Sequence, residues 1–486
     1  MELAFGNYQP DISDYNTQVT SNVSNVLPRA DGFGPIKSLV GFTDALAATC
    51  RGYFYARNSD GSITIFAGTA TRIYQLNNTD FSWTDVSQGT TDYPSLSADA
   101  QWQFVQFNNN VIAVQANEVP QVFDLTSDTE FSDLGGTPPQ AAYISVVGRF
   151  LVLSGLLSQP YRVQWSGLNA ITTWTSGTNF SDFQDLPDGG IVRGVAGGEY
   201  GLIMQDQSIR RMIYSPGSEF VFQIDRVAQD RGMLAPYSLI PAGDRIFFLS
   251  AQGFIESDAS GQLRFIGKEI VDRTFFDTYN SANPQLMIGV ADPTSNVVVW
   301  VYQSIDGSET NYFDTALIYD WSLQRWSIAS IMGAYAASLA KPGLTLEGLD
   351  SISASIDSLP FSLDEISGAT LPDLSFANTS NSIGFLSGDN KEAILETAEY
   401  SQLPYRTIVN GVTPITDSPD AAVSIADRDS LNATPTYSSE SEINDDGFAP
   451  LTEEGRYVRA KVRIPAASVW TFARGIVPDF KRGNML

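Results

Sequence analysis

The 486-residue chain has no histidine, a single cysteine and about half as many basic as acidic residues. Without an imidazole, Ser-His-Asp catalysis, Cys-His catalysis and histidine metal ligation are excluded. The lone Cys50 cannot form an internal disulfide or a thiolate metal site. With 28 basic and 55 acidic residues the net charge is −27, which argues against a general nucleic-acid binder, because such a protein needs basic surface to neutralise phosphates.

Long apolar runs are also missing, since no stretch approaches the ~18 residues of a membrane span. The N-terminal sequence MELAFGNYQPDISD has neither the basic nor the apolar region of a signal peptide. Hydrophobic residues nevertheless make up 43% of the chain and aromatic residues 12%, enough for a large packed core. The composition therefore predicts an acidic globular protein without a membrane anchor.

A repeated unit runs from about residue 50 to residue 330. Each copy has an apolar run, such as SITIFAG at 62–68 or NVVVWVYQ at 296–303, then a second strand-like piece, then a final aromatic. The final aromatics lie 43 to 61 residues apart, and we expect them to pack between neighbouring units: Trp83, Phe131, Trp174, Phe222, Phe265 and Trp326. Periods of ~40–50 residues with one aromatic per unit are typical of β-propeller blades. The sequence predicts an all-β fold with a six-bladed β-propeller; the alternative is an irregular pair of β-sandwiches.

The regions around the repeats differ in composition. Residues 1–36 are polar and turn-rich, which predicts an extended N-terminal arm, and the propeller is assigned to 37–340. Residues 341–379 are acidic, and Leu349, Ile352, Ile356 and Leu359 predict a short helix in this linker. Residues 380–486 return to strand-like alternation and predict a smaller C-terminal β domain for assembly. A second short helix is expected within 268–280.

Candidate catalytic and metal sites are weak. Propellers host glycosidases, but among the many carboxylates no pair stands out, and no sialidase-type turn recurs. The sequence EINDDGFAPLTE at 442–453 imitates a calcium loop, although it begins with Glu442 and an alternating strand follows it. We interpret it as a polar turn. The chain is therefore expected to lack enzymatic activity, cofactors and metals.

One strand-like segment has a marked charge pattern. In RYVRAKVRI, 456–464, the basic residues Arg459, Lys461 and Arg463 alternate with apolar residues, so one face carries three positive charges. Two interpretations stay open. The stripe is either a solvated face paired with acidic neighbours or an assembly contact with an acidic neighbouring subunit or DNA.

Three segments resemble a known family: NVLPRADGFGPIKSL at 25–39, CRGYFYARNSDGSITIFAGTATRIYQLNNTDFSWTDVS at 50–87, and EEGRYVRAKVRIPAASVWTFARGI at 453–476. They are similar to tail hub or nozzle proteins of short-tailed bacteriophages, also called packaged-DNA-stabilisation proteins. The resemblance implies a propeller body, a hexamer around a central DNA channel, and contacts with an adaptor ring and with tail fibres or spikes.

The function expected from this resemblance is that of a structural virion protein, a tail nozzle that retains and ejects phage DNA. Double-stranded DNA is then a passing partner that is not tightly bound, and the chain is made in the host cytoplasm and ends in the phage tail. One alternative is a glycan-binding or glycan-cleaving propeller, a receptor-binding part of the tail. Another is a baseplate or fibre-linking protein with three-fold assembly.

Overall fold

The structure is a computed structural model, and it describes residues 2–15, 17–218, 220–258, 260–292, 294–309, 311–342 and 371–485. Seven four-stranded antiparallel sheets and two larger sheets account for most of it. The first strands of successive four-stranded sheets line one central cavity, so these sheets are the blades of a β-propeller.

The first three blades follow one another along the chain. From the centre outward, their strands are Tyr53–Arg57, Ile63–Gly68, Ile73–Leu76 and Trp83–Asp85 in blade 1; Gln103–Phe107, Asn110–Val114, Gln121–Asp124 and Ser132–Asp133 in blade 2; and Ala141–Val147, Phe150–Leu156, Arg162–Trp165 and Asp182–Asp185 in blade 3.

Blades 4 to 6 continue in the same order. Their strands are Val192–Ala196, Gly201–Gln205, Ser208–Tyr214 and Phe222–Gln229 in blade 4; Ile240–Ala242, Arg245–Ser250, Gly253–Asp258 and Leu263–Phe265 in blade 5; and Ile288–Asp292, Val297–Tyr302, Phe313–Asp320 and Arg325–Gly333 in blade 6. Between blades 5 and 6 lies the α-helix Asp272–Thr278, within the segment where a helix was predicted. Short 3-10 turns cover Pro187–Gly189, Pro236–Ser238 and Pro284–Leu286.

The second strand of each blade explains why the repeats are visible in the sequence. In blade 6 all six residues of Val297–Tyr302 are buried, and the same holds for Ile63–Gly68 in blade 1. A strand covered on both faces by neighbouring blades needs apolar residues throughout, so it appears as a continuous apolar run instead of an alternating one.

A seventh blade closes the ring. Its strands, from the centre outward, are Tyr335–Ala340, Pro372–Ala377, Ile383–Asn390 and, from the opposite end of the sequence, Lys37–Gly41. The first strand contacts the first strands of both blade 6 and blade 1. In the outer ladder Phe385 pairs with Val40 and Leu386 with Leu39, so hydrogen bonds between distant segments hold the ring shut.

The predicted all-β propeller is confirmed, but the predicted number of six blades is wrong. The seventh blade was missed because its outer strand comes from the N-terminal part of the chain and its other three strands are interrupted by the acidic segment. Residues 372–377, assigned to the linker, and 383–390, assigned to the C-terminal domain, belong to the propeller. The helix predicted from Leu349 to Leu359 lies outside the described residues.

The C-terminal β domain contains two six-stranded sheets. One consists of Leu3–Ala4, Val26–Arg29, Gly32–Pro35, Tyr405–Thr416, Ala449–Gly455 and Ala473–Met485; the other of Val23–Ser24, Ala393–Glu396, Ala422–Arg428, Thr436–Tyr437, Ser441–Glu442 and Tyr457–Ile464. A parallel pair, Asn7–Tyr8 and Val19–Thr20, accompanies them.

The N-terminal arm is therefore not a separate extension. Leu3 pairs with Ile476, Val23 with Leu395, and the hairpin 26–35 joins the first sheet through Phe33 and Ala473. The arm has no core of its own, and it buries its apolar residues by completing the sheets of the C-terminal domain.

Candidate functional site

The basic stripe lies on the strand Tyr457–Ile464, whose apolar residues are buried as the alternation predicts. Arg459 forms ion pairs with Asp14 of the arm at 3.0 Å and with Glu399 at 3.5 Å. Arg463 pairs with Glu440 at 2.7 Å and with Glu392 at 3.4 Å. The Lys461 ammonium lies 4.2 Å from the centre of the Tyr437 ring.

These contacts neutralise the stripe within the chain. The hydrogen bond from Arg463 lowers the pKa of the Glu440 carboxyl, which keeps this acid ionised opposite its guanidinium. Arg459, Lys461 and Arg463 thus have partners within the chain, as the first interpretation expects, and the assembly contact stays a prediction. Sequence alternation identified the face but could not identify its partners, because these come from distant segments.

A buried carboxylate lies beside the stripe. The Glu399 side chain is 1% exposed and accepts two hydrogen bonds from Arg428, at 2.7 and 2.6 Å. Its backbone N–H donates to the carbonyl of Asp14 at 3.0 Å. Glu399 thus connects the arm to the C-terminal domain through both main-chain and charge-assisted bonds.

The arm also covers the outer strand of blade 6. The N–H of Asn25 donates to the Ile328 carbonyl at 3.0 Å, and the Asn25 side-chain oxygen accepts from the N–H of Ser330 at 2.9 Å. Arg325 donates to the carbonyl of Arg29 and lies 5.0 Å from the centre of the Phe33 ring. The edge of blade 6 is therefore occupied by the chain itself.

A second contact of the arm caps the helix Asp272–Thr278. The Asp11 carboxylate accepts from the backbone N–H of Arg273 at 2.8 Å and of Thr274 at 2.9 Å, as a negative capping group does at a helix N-terminus. Burial raises the pKa of the neighbouring Asp272 to about 6, and the nearby Asp11 charge acts in the same direction.

Besides these polar contacts, one continuous apolar core joins the propeller to the C-terminal domain. The core contains residues of blade 5, blade 6, the arm and the C-terminal domain, among them Phe254, Trp300, Phe33, Val412 and Val462. A shared core resists relative motion of its parts, because separating them would expose all of its apolar surface to water.

The predicted blade-packing aromatics lie where blades meet. Phe131 contacts Phe66 of blade 1 at a ring distance of 5.3 Å, and Phe222 contacts Phe150 of blade 3 at 5.0 Å. Trp326 lies 5.4 Å from Phe254 of blade 5. Each of these aromatics therefore packs against the preceding blade.

The other three predicted aromatics are less regular. Trp83 is half-buried on the outer strand of blade 1, with its indole N–H donating to the Asp44 carbonyl at 2.9 Å. Phe265 is half-buried and packs between blades 4 and 5. Trp174 is buried but lies in the loop between the last two strands of blade 3, so it is not equivalent to Trp83 and Trp326.

The centre of the propeller holds a cavity of about 580 Å³ lined by the first strands of all seven blades. Three tyrosines line it: Tyr143 and Tyr237, whose ring centres are 6.1 Å apart, and Tyr335, whose ring centre lies 5.3 Å from that of Tyr53. Burial raises the pKa of Tyr143 to about 12, so its hydroxyl stays neutral. Sequence reasoning missed this cavity, because its lining comes from seven distant strands.

The cavity also has polar groups. Arg193 pairs with Asp206 at 2.5 Å, which leaves this pair neutral overall. The hydroxyl of Ser145 is buried and has no hydrogen-bond partner among the described residues. A neutral ion pair, hydroxyls and aromatic walls in a cavity of this volume have the properties of a small-molecule site.

The calcium-like loop at 442–453 and Cys50 were the other candidate sites. The Asn444 side-chain oxygen accepts from the N–H groups of Asp446 and Phe448, each at 3.0 Å, so the calcium-like loop contains a tight turn closed by its own side chain. Over the described ranges, no cluster of three or more acidic or cysteine side chains could hold a metal ion. Cys50 is buried, and burial raises its pKa to about 12. None of the helices in the described part of the chain is long and apolar enough to cross a membrane.

No protein-family model matches the chain, and no curated protein sequence is significantly similar to it. Among solved structures, it is similar to the computationally designed Ika8 protein, with 10% identity, a TM-score of 0.38 and coverage of 72% of this chain and 98% of the other. BamB from Moraxella catarrhalis shows 9% identity and a TM-score of 0.37, covering 74% and 94%. The extracellular domain of the hybrid two-component system BT4673 from B. thetaiotaomicron shows 11% identity and a TM-score of 0.40, covering 89% of this chain and 47% of that protein.

Proposed function

We propose that this chain is a structural virion protein, the tail nozzle or hub of a short-tailed phage. It assembles as a hexamer below an adaptor ring, carries tail fibres or spikes, and surrounds the path of the ejected DNA. It has no enzymatic activity in this role, and its place is the phage tail.

The observation that carries this proposal is the shared core between the propeller and the C-terminal domain. A wall that holds back packaged DNA must transmit force between its parts without hinging. The arm bonded along blade 6, the cap on the helix and the continuous core supply such stiffness. The three segments that resemble nozzle proteins include parts of both halves, 50–87 in blade 1 and 453–476 in the C-terminal domain.

The size of the central cavity decides where DNA could pass. With a volume of about 580 Å³ and tyrosines around it, the cavity is of small-molecule size. Duplex DNA, whose major groove alone is ~12 Å wide, cannot thread through it. In the proposed assembly the DNA channel therefore lies between copies of the chain, and the propellers form its wall or its periphery.

The test uses particles assembled without this chain. We expect them to package DNA and then lose it, which a nuclease-protection assay on purified particles measures, and we expect the wild-type chain supplied in trans to restore retention. An electron-microscopy reconstruction of the intact tail should show a six-fold ring of the propeller. Particles that keep their DNA and stay infectious without the chain would overturn the proposal.

A second candidate function rests on the central cavity. Tyr143, Phe104 and the Arg193–Asp206 pair offer aromatic surface and paired polar groups, which suit a neutral sugar ring. A glycan array probed with the wild-type chain and with Arg193→Ala tests this alternative. Binding that the substitution abolishes would favour the receptor-binding function; no binding to any glycan would remove it.

A further inference from the structure

The outer strands of the seven blades differ sharply in length. In five blades the outer strand has two to five residues. In blade 4 it is Phe222–Gln229, with eight residues, and in blade 6 it is Arg325–Gly333, with nine. Very short edge strands are one way in which proteins prevent unwanted pairing, so the two long edges need another form of protection.

In blade 6 another segment of the same chain protects the long edge strand. Its edge is covered by residues 25–29 of the arm, of which Val26–Arg29 form a strand, and these residues bond to Ile328, Ser327 and Arg325. The structure thus contains one instance in which an extended segment protects a long blade edge.

The described residues give the edge of blade 4 no such cover. Phe222–Gln229 is hydrogen-bonded to its neighbour Ser208–Tyr214 on one side, and no backbone group from another blade or domain in the described part of the chain bonds to the other side. Ser215 N–H donates to the Val221 carbonyl, and bonded pairs alternate from that point. Phe222, Ile224 and Arg226 therefore direct their N–H groups outward.

A groove of about 530 Å³ runs beside this edge, toward the outer strand of blade 3. Phe220, which lines the groove, is 70% exposed and offers an apolar ring beside the strand edge. Asp188 binds both Arg210 and Arg226, and both Asp188 and Arg210 line the groove. An added strand would find an apolar anchor and polar groups beside its backbone bonds.

The net charge of blades 3 and 4 indicates which partner can approach the edge of blade 4. Blades 3 and 4, residues 140–231, contain seven arginines and eight acidic residues, so they are almost neutral in a chain of net charge −27. Because each copy has a large net negative charge, two copies repel each other. This repulsion is weakest at the nearly neutral surface of blades 3 and 4.

We propose that the edge strand Phe222–Gln229 is a self-association site, to which an extended segment of a second copy of this chain adds as a fifth strand of blade 4. This inference rests on the proposed ring assembly and names one contact of that ring. Such contacts between different surfaces of identical copies close into rings when the rotation permits it.

The test compares Arg226→Pro with Arg226→Ala. Both substitutions remove the ion pair with Asp188, but only proline removes the outward N–H. By sedimentation velocity over a concentration series, we expect the wild-type chain and Arg226→Ala to associate. Arg226→Pro should weaken association at least about tenfold, and Phe220→Ser should weaken it through loss of the exposed anchor.

Hydrogen exchange supplies the direct readout, because the outward amides of Ile224 and Arg226 should become protected as the concentration rises. Unchanged near-ultraviolet circular dichroism checks the fold, and Phe220→Ser carries the test if the proline variant misfolds. A wild-type chain that stays monomeric up to its solubility limit, or a folded Arg226→Pro that associates like Arg226→Ala, would overturn the inference. DNA retention by particles is a separate readout, so failure here leaves the nozzle proposal to its own test.

Discussion

Asp272 places a buried carboxyl group at the start of the helix Asp272–Thr278, against Phe254 of blade 5. Its folded-state pKa of about 6 exceeds that of an unfolded aspartate, so the folded chain binds the extra proton between about pH 4 and pH 6. Stability therefore falls as the pH rises through this window, and the cost is fully present above it. We expect Asp272→Asn to raise the free energy of unfolding at pH 8 by up to ~3 kcal/mol and to change little at pH 4.

The measurement is thermal unfolding across pH 4 to 8. Asparagine keeps the oxygen that accepts the hydrogen bond from the Phe254 N–H, so packing is conserved. The exposed Asp277 on the same helix provides the control, since Asp277→Asn makes the same chemical change without removing a buried carboxylate. If Asp272→Asn destabilises the chain equally at both pH values, the buried charge is not the cause.

Trp326 lies in a cluster of aromatic rings with Phe254, Trp300 and Tyr319. It is 1% exposed, donates to the Ile266 carbonyl at 3.1 Å and lies 4.6 Å from Tyr319. Trp326→Ala is expected to cost ~3–5 kcal/mol through lost contacts and the cavity left behind. Trp83→Ala, at the half-buried equivalent position in blade 1, should cost clearly less in the same denaturant titration; equal costs would contradict the packing argument.

For individual residues, the sequence predicted which side chains are buried and which are polar, but it did not predict which residues they contact. The alternation of Val458 and Val462 with Arg459 and Arg463 gave the correct buried and polar faces, because strand periodicity is local. That Arg459 meets Asp14 depends on a contact across most of the chain, which no local pattern encodes.

Among the strands, the second and third of blades 1 to 6 were predictable, and the seventh blade was not. A repeated turn could have revealed more of the register. Asp124, Asp258 and Asp320 each end the third strand of a blade and accept from the N–H and hydroxyl of the Ser or Thr two residues on. Blade 7 has the related pair Asn378 and Ser380, but at the end of its second strand. The turn is thus a sequence signal for a strand end, although not for closure of the ring.

The arm gives a prediction about elements. Deleting residues 2–24 removes the strand partners of Ile476 and Leu395 and the Asp11 cap, but none of the propeller strands. We expect blades 1 to 4 to keep their hydrogen-exchange protection and the two C-terminal sheets to lose part of theirs. The single change Asp11→Ala should expose only the helix amides. Uniform loss of protection across the propeller would show that the arm supports the whole ring.

For the whole molecule, the net charge of −27 predicts how the free chain meets DNA. One duplex carries a negative charge every ~1.7 Å, and Arg459 and Arg463 of the basic stripe are paired with the chain's own acids. We expect no appreciable binding of double-stranded DNA in an anisotropy titration at low and moderate salt. Salt-sensitive binding tighter than ~1 µM, well beyond ordinary non-specific affinity, would reveal a basic surface that the composition conceals.

The closure of blade 7 has a consequence for folding during translation. The strand Lys37–Gly41 is made early, but its hydrogen-bonding partner Ile383–Asn390 emerges about 350 residues later. At ~5–20 residues per second, the early strand waits ~20–70 s with an open edge. The ring therefore cannot close until this partner strand has been translated, and during that interval the edge of Lys37–Gly41 is open to pairing with other nascent strands.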